Sequence, residues 1–72
     1  MKKKATEYLN NKEVNVTESD VDKMFRMGVI SHSAMRDIAI VQEYAEGKKS
    51  KSDIAGEYSV DPATVCRAIK RG

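Results

Sequence analysis

A succession of helix starts and stops constrains this chain more than any other feature. Thr17 and Ser19 precede an acidic first turn of Glu18, Asp20 and Asp22, and Gly28 follows ten residues of helical pattern. Ser31 or Ser33 opens the next run, AMRDIAIVQEYAE, and Gly47 closes it. Ser50 or Ser52 opens a short third run to Tyr58, and Asp61–Pro62 opens a fourth. Each signal has a physical reason. Hydroxyl and carboxylate oxygens accept the unpaired N–H groups of a first turn, and acids there oppose the helix dipole. Glycine takes the left-handed conformation that ends a helix, and proline loses nothing at a first helical position. No strand alternation longer than a few residues interrupts the pattern. These signals predict an all-α domain of four helices, near residues 17–27, 33–46, 51–58 and 62–71.

The apolar positions agree. Val21, Met24 and Phe25 form a stripe in the first helix. In the second, Met35, Ile38, Val41, Gln42 and Ala45 share one face, and Ile40 and Tyr44 an adjacent one. A face this wide implies packing on two sides. Ile54, Ala55 and Tyr58 point inward in the third helix, and Val65, Ala68 and Ile69 in the fourth. Tyr44 and Tyr58 read as core residues with wet hydroxyls, and His32 as a surface residue beside a cap. Residues 1–16 show no clear period, and Asn10, Asn11 and Asn15 favour turns. They read as a flexible N-terminal arm before a helical domain spanning 17–72.

With 72 residues the chain forms one domain at most. A chain this short buries only about 60% of the surface its unfolded form exposes. A surplus of apolar side chains at Met24, Phe25 and Met27 therefore reads as a covering helix or a homodimer surface. The single cysteine, Cys66, excludes an internal disulfide framework and suits a reducing compartment. One histidine and one cysteine supply no zinc ligand set, and no cofactor motif is present. No apolar run approaches the roughly 20 residues of a membrane span, and none follows the basic start as in a secretory signal. The expected location is cytoplasmic, associated with the nucleoid. Paired carboxylates, a nucleophile with its base and a phosphate loop are all missing, so an enzyme is not expected.

The net charge of +2 says little, but its distribution says more. Lys2, Lys3 and Lys4 cluster at the start, Lys48, Lys49 and Lys51 in the middle, and Arg67, Lys70 and Arg71 at the end. Patches of this kind matter more than the total for binding a polyanion. The first cluster is either a disordered basic start or an arm for phosphates or the minor groove. On a wheel of about 100° per residue, Val65, Ala68 and Ile69 define the buried side of the last helix, and Ala63, Arg67 and Lys70 lie opposite. Thr64 and Arg71 flank them on one side and Cys66 on the other. Small residues near the helix start permit close approach, and the cations can neutralise phosphates or read base edges. A bidentate Arg67–guanine pair would discriminate by about 1–3 kcal/mol. Cys66 reads as a small half-buried residue rather than a redox switch, since little around it would lower a thiol pKa.

The stretch IAGEYSVDPATVCRAIKR resembles the helix-turn-helix DNA-binding motif. Ala55 stands where the motif wants a small residue under the crossing helices. Val60 follows the turn, and Val65 and Ile69 form the inward pair of the recognition helix. With the preceding helix included, residues 35–71 look like the trihelical, homeodomain-like form found in bacterial and phage transposases, recombinases and small regulators. Ser59 departs from the pattern, because glycine is usual at that turn. FRMGVIS imitates a second such corner, but Met24 stands where a small residue is required, so a second motif is rejected.

The resemblance implies that residues 62–71 enter the major groove, with Ala63, Thr64, Cys66, Arg67, Lys70 and Arg71 near bases or phosphates. It implies that the helix from 51 to 58 crosses the backbone, bringing Lys48, Lys49, Lys51 and Ser52 near phosphates. The expected function is sequence-specific binding of double-stranded DNA by a small bacterial or phage transcriptional regulator. A DNA-recruiting module of a phage terminase or recombinase system is the alternative within that class. A helical adaptor that binds and inhibits a host enzyme is the alternative outside it.

Overall fold

The computed structural model describes residues 1–71, in five helices: α1 (Lys2–Asn11), α2 (Glu18–Arg26), α3 (His32–Ala45), α4 (Lys51–Tyr58) and α5 (Pro62–Arg71). No strand occurs among the described residues. The last four helices stand within a residue or two of their expected limits, because capping chemistry is local. Thr17 and Asp20 form a reciprocal capping box, as do Ser50 and Asp53, and the Ser31 hydroxyl accepts the Ala34 N–H at 3.0 Å.

The fifth helix corrects the expected count of four. Residues 2–11 are helical, so the segment read as a flexible arm instead packs α1 along α3 and α2. Ala5 is wholly buried with Val21 of α2 and Met35 of α3, and Leu9, one turn on, packs against them. The local signals are poor. Met1 caps α1 without a side-chain bond, and no acid stands in the first turn. The helix persists because burial of Ala5 and Leu9 supplies what propensity does not. It ends in a Schellman closure, with Val14 N–H on the Leu9 carbonyl at 2.9 Å and Glu13 N–H on the Asn10 carbonyl at 3.0 Å. Glu13 holds the left-handed position at φ 66°.

α3 is the axis of the molecule and carries a separate apolar cluster on each side. Towards the N-terminal half, Met35 joins Ala5 and Val21, with Leu9, Val16, Met24, Phe25, Ile30 and Ile38 around them. Towards the C-terminal half, Ile40 joins Ile54, Ala55, Val65 and Ala68, with Val41, Tyr58, Val60 and Ile69 around them. The wide apolar face expected of this helix is divided between these two contacts. Two expected details change. Tyr44 is 41% exposed rather than core, and Lys51 Nζ lies 5.6 Å from its ring centroid. Met24 and Phe25 are half-buried against the fold's own N-terminal cluster, leaving only Met27 of the expected dimer surface fully in solvent. No helix among the described residues is long and apolar enough to cross a membrane.

Candidate nucleic-acid interface

The α4–α5 corner is built by backbone bonds that its sequence anticipates. α4 ends at Ser59 in the left-handed conformation, φ 55° and ψ 45°. Val60 N–H bonds the Ala55 carbonyl at 3.0 Å, and Ser59 N–H bonds the Gly56 carbonyl at 3.3 Å, a second Schellman closure. Serine thus accepts the strained conformation that glycine takes freely. Asp61 begins α5 through its carbonyl, which accepts Thr64 N–H at 2.9 Å and Val65 N–H at 3.3 Å. Ile54, Ala55, Val65 and Ala68 are buried between the two helices and α3, which fixes how α5 is turned.

That orientation sorts the expected site residues. Ala63, Arg67, Lys70 and Arg71 are exposed, while Thr64 and Cys66 are half-buried at the edges of the face. Arg67 Nη2 donates to Thr64 Oγ1 at 3.3 Å, and Arg71 Nη1 lies 3.5 Å from Asp37 Oδ2 of α3. Lys48, Lys51 and Ser52 are exposed around the start of α4.

Lys49 is a different case. Its side chain is half-buried, with Nζ 3.2 Å from Glu43 Oε2 and hydrogen-bonded to Glu57, and these carboxylates raise its pKa, Glu57 most. It holds the α3–α4 connection to the helices on either side of it. Lys2 and Lys4 are likewise engaged. Lys2 pairs with Asp22, which lowers that carboxyl's pKa. Lys4 donates to both Glu46 oxygens at 2.6 and 2.8 Å and lies 3.6 Å from Glu43. The Glu46 bond is the main cause of the raised Lys4 pKa and of the lowered Glu46 pKa. Gln42 extends the web, accepting from Asn11 at 3.1 Å and donating to Glu46 at 3.2 Å. Burial, followed by repulsion from Glu43 and Glu57, pushes the Tyr58 hydroxyl up to about 12.

Arg36 is the member the sequence did not announce. It lies on α3, yet it lines one polar cleft of about 430 Å³ with Asp37, Thr64, Arg67 and Arg71. Only the crossing of α3 over α5 brings it there, and no spacing along the chain encodes that crossing. Among the described residues no cluster of three or more His, Cys, Asp or Glu side chains could hold a metal ion.

In comparisons with known proteins, no family model, no curated protein and no solved structure matches the chain.

Proposed function

We propose that this chain is a small sequence-specific double-stranded DNA-binding protein, a transcriptional regulator of bacterial or phage type. In this reading α3, α4 and α5 act as a homeodomain-like helix-turn-helix, with α5 in the major groove and α4 across the backbone. The observation that carries it is the outer face of α5. Ala63, Arg67, Lys70 and Arg71 stand in solvent with no acid on the helix, while Val65 and Ala68 lock the opposite side into the core. A helix held rigidly by one face and cationic on the other suits a groove walled by phosphates. Lys48, Lys51 and Ser52 extend the same function to the backbone beside α4.

The exposed cations available to DNA, without Lys49, still suffice for roughly five phosphates, so log affinity should fall against log salt with a slope of about −4 to −5. Fluorescence anisotropy on a random-sequence duplex at several salt concentrations measures this directly. Binding with that slope supports the reading, and site selection then finds the preferred sequence. Absence of binding at low salt defeats it. A protein-binding adaptor has one observation in its favour, the exposure of Met27 (76%) and Val29 (69%) at the α2–α3 corner. Without DNA binding, pull-downs probing that corner take precedence.

A further inference from the structure

We propose that the cleft between α3 and α5 seats a single phosphate group held by Arg36, Arg67 and Arg71. The proposal rests on the DNA-binding reading and sharpens it: the phosphate is one phosphodiester of the DNA backbone, and Arg67 is a phosphate contact rather than a reader of bases.

Three arginines line one polar cleft of about 430 Å³, and Asp37 is the one carboxylate among its lining residues. Asp37 lies 3.3 Å from Arg36 Nη2 and 3.5 Å from Arg71 Nη1, so it bridges two of the arginines and leaves the cleft with a surplus of positive charge. A phosphodiester matches that surplus, since it supplies one negative charge with several acceptor oxygens that guanidinium groups recognise in bidentate fashion. Arg36 is also short of acceptors: it is half-buried, and its Nε, itself buried, has no hydrogen-bond partner among the described residues. Arg67 is drawn along the helix towards this cleft by its bond to Thr64. A side chain folded back along α5 beside this cleft is placed for a phosphate at the groove's edge. Base contacts then fall to Ala63, Cys66 and Lys70.

Two measurements test this, and they separate the site from the wider reading. The first follows arginine Nε–H signals by ¹H–¹⁵N NMR during titration with inorganic phosphate, against sodium chloride at matched ionic strength. Arg36, Arg67 and Arg71 should shift together and saturate. Arg26, which pairs with Asp22 at 2.9 Å on α2, serves as the internal control and should stay still. The second measures anisotropy on two unrelated duplexes across a salt series, for wild type, Arg36→Gln, Arg67→Gln and the double variant.

Each single variant should lose about tenfold in affinity, equally on both duplexes. Because one phosphate is shared, the wild-type slope should be about −3.6, and the single and double variants alike should make it shallower by no more than about 0.9, one phosphate's worth. Arg71→Gln, at an exposed position in the last turn, should reproduce this signature with little risk to the fold, since its one ion pair among the described residues is to Asp37. Arginine signals that ignore phosphate overturn the site, whether or not the protein binds DNA. So does a loss at Arg67 confined to one duplex, or a double variant that loses two phosphates' worth of slope. A saturable arginine response in a protein that binds neither duplex keeps the phosphate site and discards DNA as its source.

Discussion

The two halves of this molecule share α3, and they use their charges in opposite ways. In the N-terminal half, Lys2 and Lys4 answer carboxylates of the fold itself, and Lys49 completes the web around Glu43. In the C-terminal half, Arg67 and Lys70 answer none, and Arg71 reaches only Asp37 at 3.5 Å. The cores differ in parallel. Ile40, Ile54 and Val65 interlock three helices by apolar contact, whereas α1 enters the core through Ala5 and the half-buried Leu9 and is held from outside by ion pairs. A run of lysines therefore does not identify a binding face. Its partners in space decide that, and here they turn Lys2 and Lys4 of the first basic cluster into structure.

The sharpest way to break this comparison is to damage each core separately. Ile54→Ala should cost about 2–5 kcal/mol, and Val21→Ala about 2 kcal/mol. Because α3 carries both clusters, each variant should lower one shared thermal transition followed by circular dichroism. If Val21→Ala instead produces an early partial transition, the N-terminal half is an independently melting unit and α3 does not couple the two.

The helix ends offer a smaller contrast. Ser59 and Glu13 hold corresponding left-handed positions in the two halves, at φ 55° and 66°. Ser59→Gly and Glu13→Gly should each stabilise by about 1 kcal/mol, since glycine removes the steric penalty. Chemical denaturation measures both. A loss at Ser59 alone would mean that its side chain contributes to the α4–α5 corner beyond its backbone.

The ion-pair web sets a pH dependence on the N-terminal side. The Lys4 bond holds the Glu46 pKa below its ordinary 4.5. A depressed carboxylate stabilises the fold above its unfolded pKa and loses that contribution as pH falls through the folded value. Glu46→Gln should lower Tm by a few degrees at neutral pH and flatten the acid side of the Tm profile below about pH 4.5. Added salt should narrow the gap between wild type and variant. An unchanged profile would show that α1 is held by Ala5 and Leu9 alone. The smallest effect is spectroscopic. The tyrosinate absorbance step near pH 12 should vanish in Tyr58→Phe, because burial and the nearby Glu43 and Glu57 raise that hydroxyl.

Much of the C-terminal half was legible in the sequence. Ser50 with Asp53, Ser59 as a left-handed corner and Pro62 at a helix start act within a few residues, so the chain states them directly. The inward set Ile54, Ala55, Val65 and Ala68 follows from period alone. α1 was not legible, because Asn10 and Asn11 argue for a turn and Met1 offers no side-chain cap. Tyr44 misled for a related reason. It shares the side of α3 that bears Ile40, but lies far enough along the helix to stand outside the core.

By itself, then, the sequence determined the last four helices, their ends and the cationic face of α5, since each depends on bonds and periodicities spanning a few residues. Tertiary structure alone decided which cations remain available. Lys4 meets Glu46 across 42 positions, Lys49 meets Glu57 across eight, and Arg36 joins Arg67 and Arg71 only where α3 crosses α5. Those pairings depend on where helices come to rest against one another. That balance of burial and charge is summed over the whole molecule, and no local run of residues contains it.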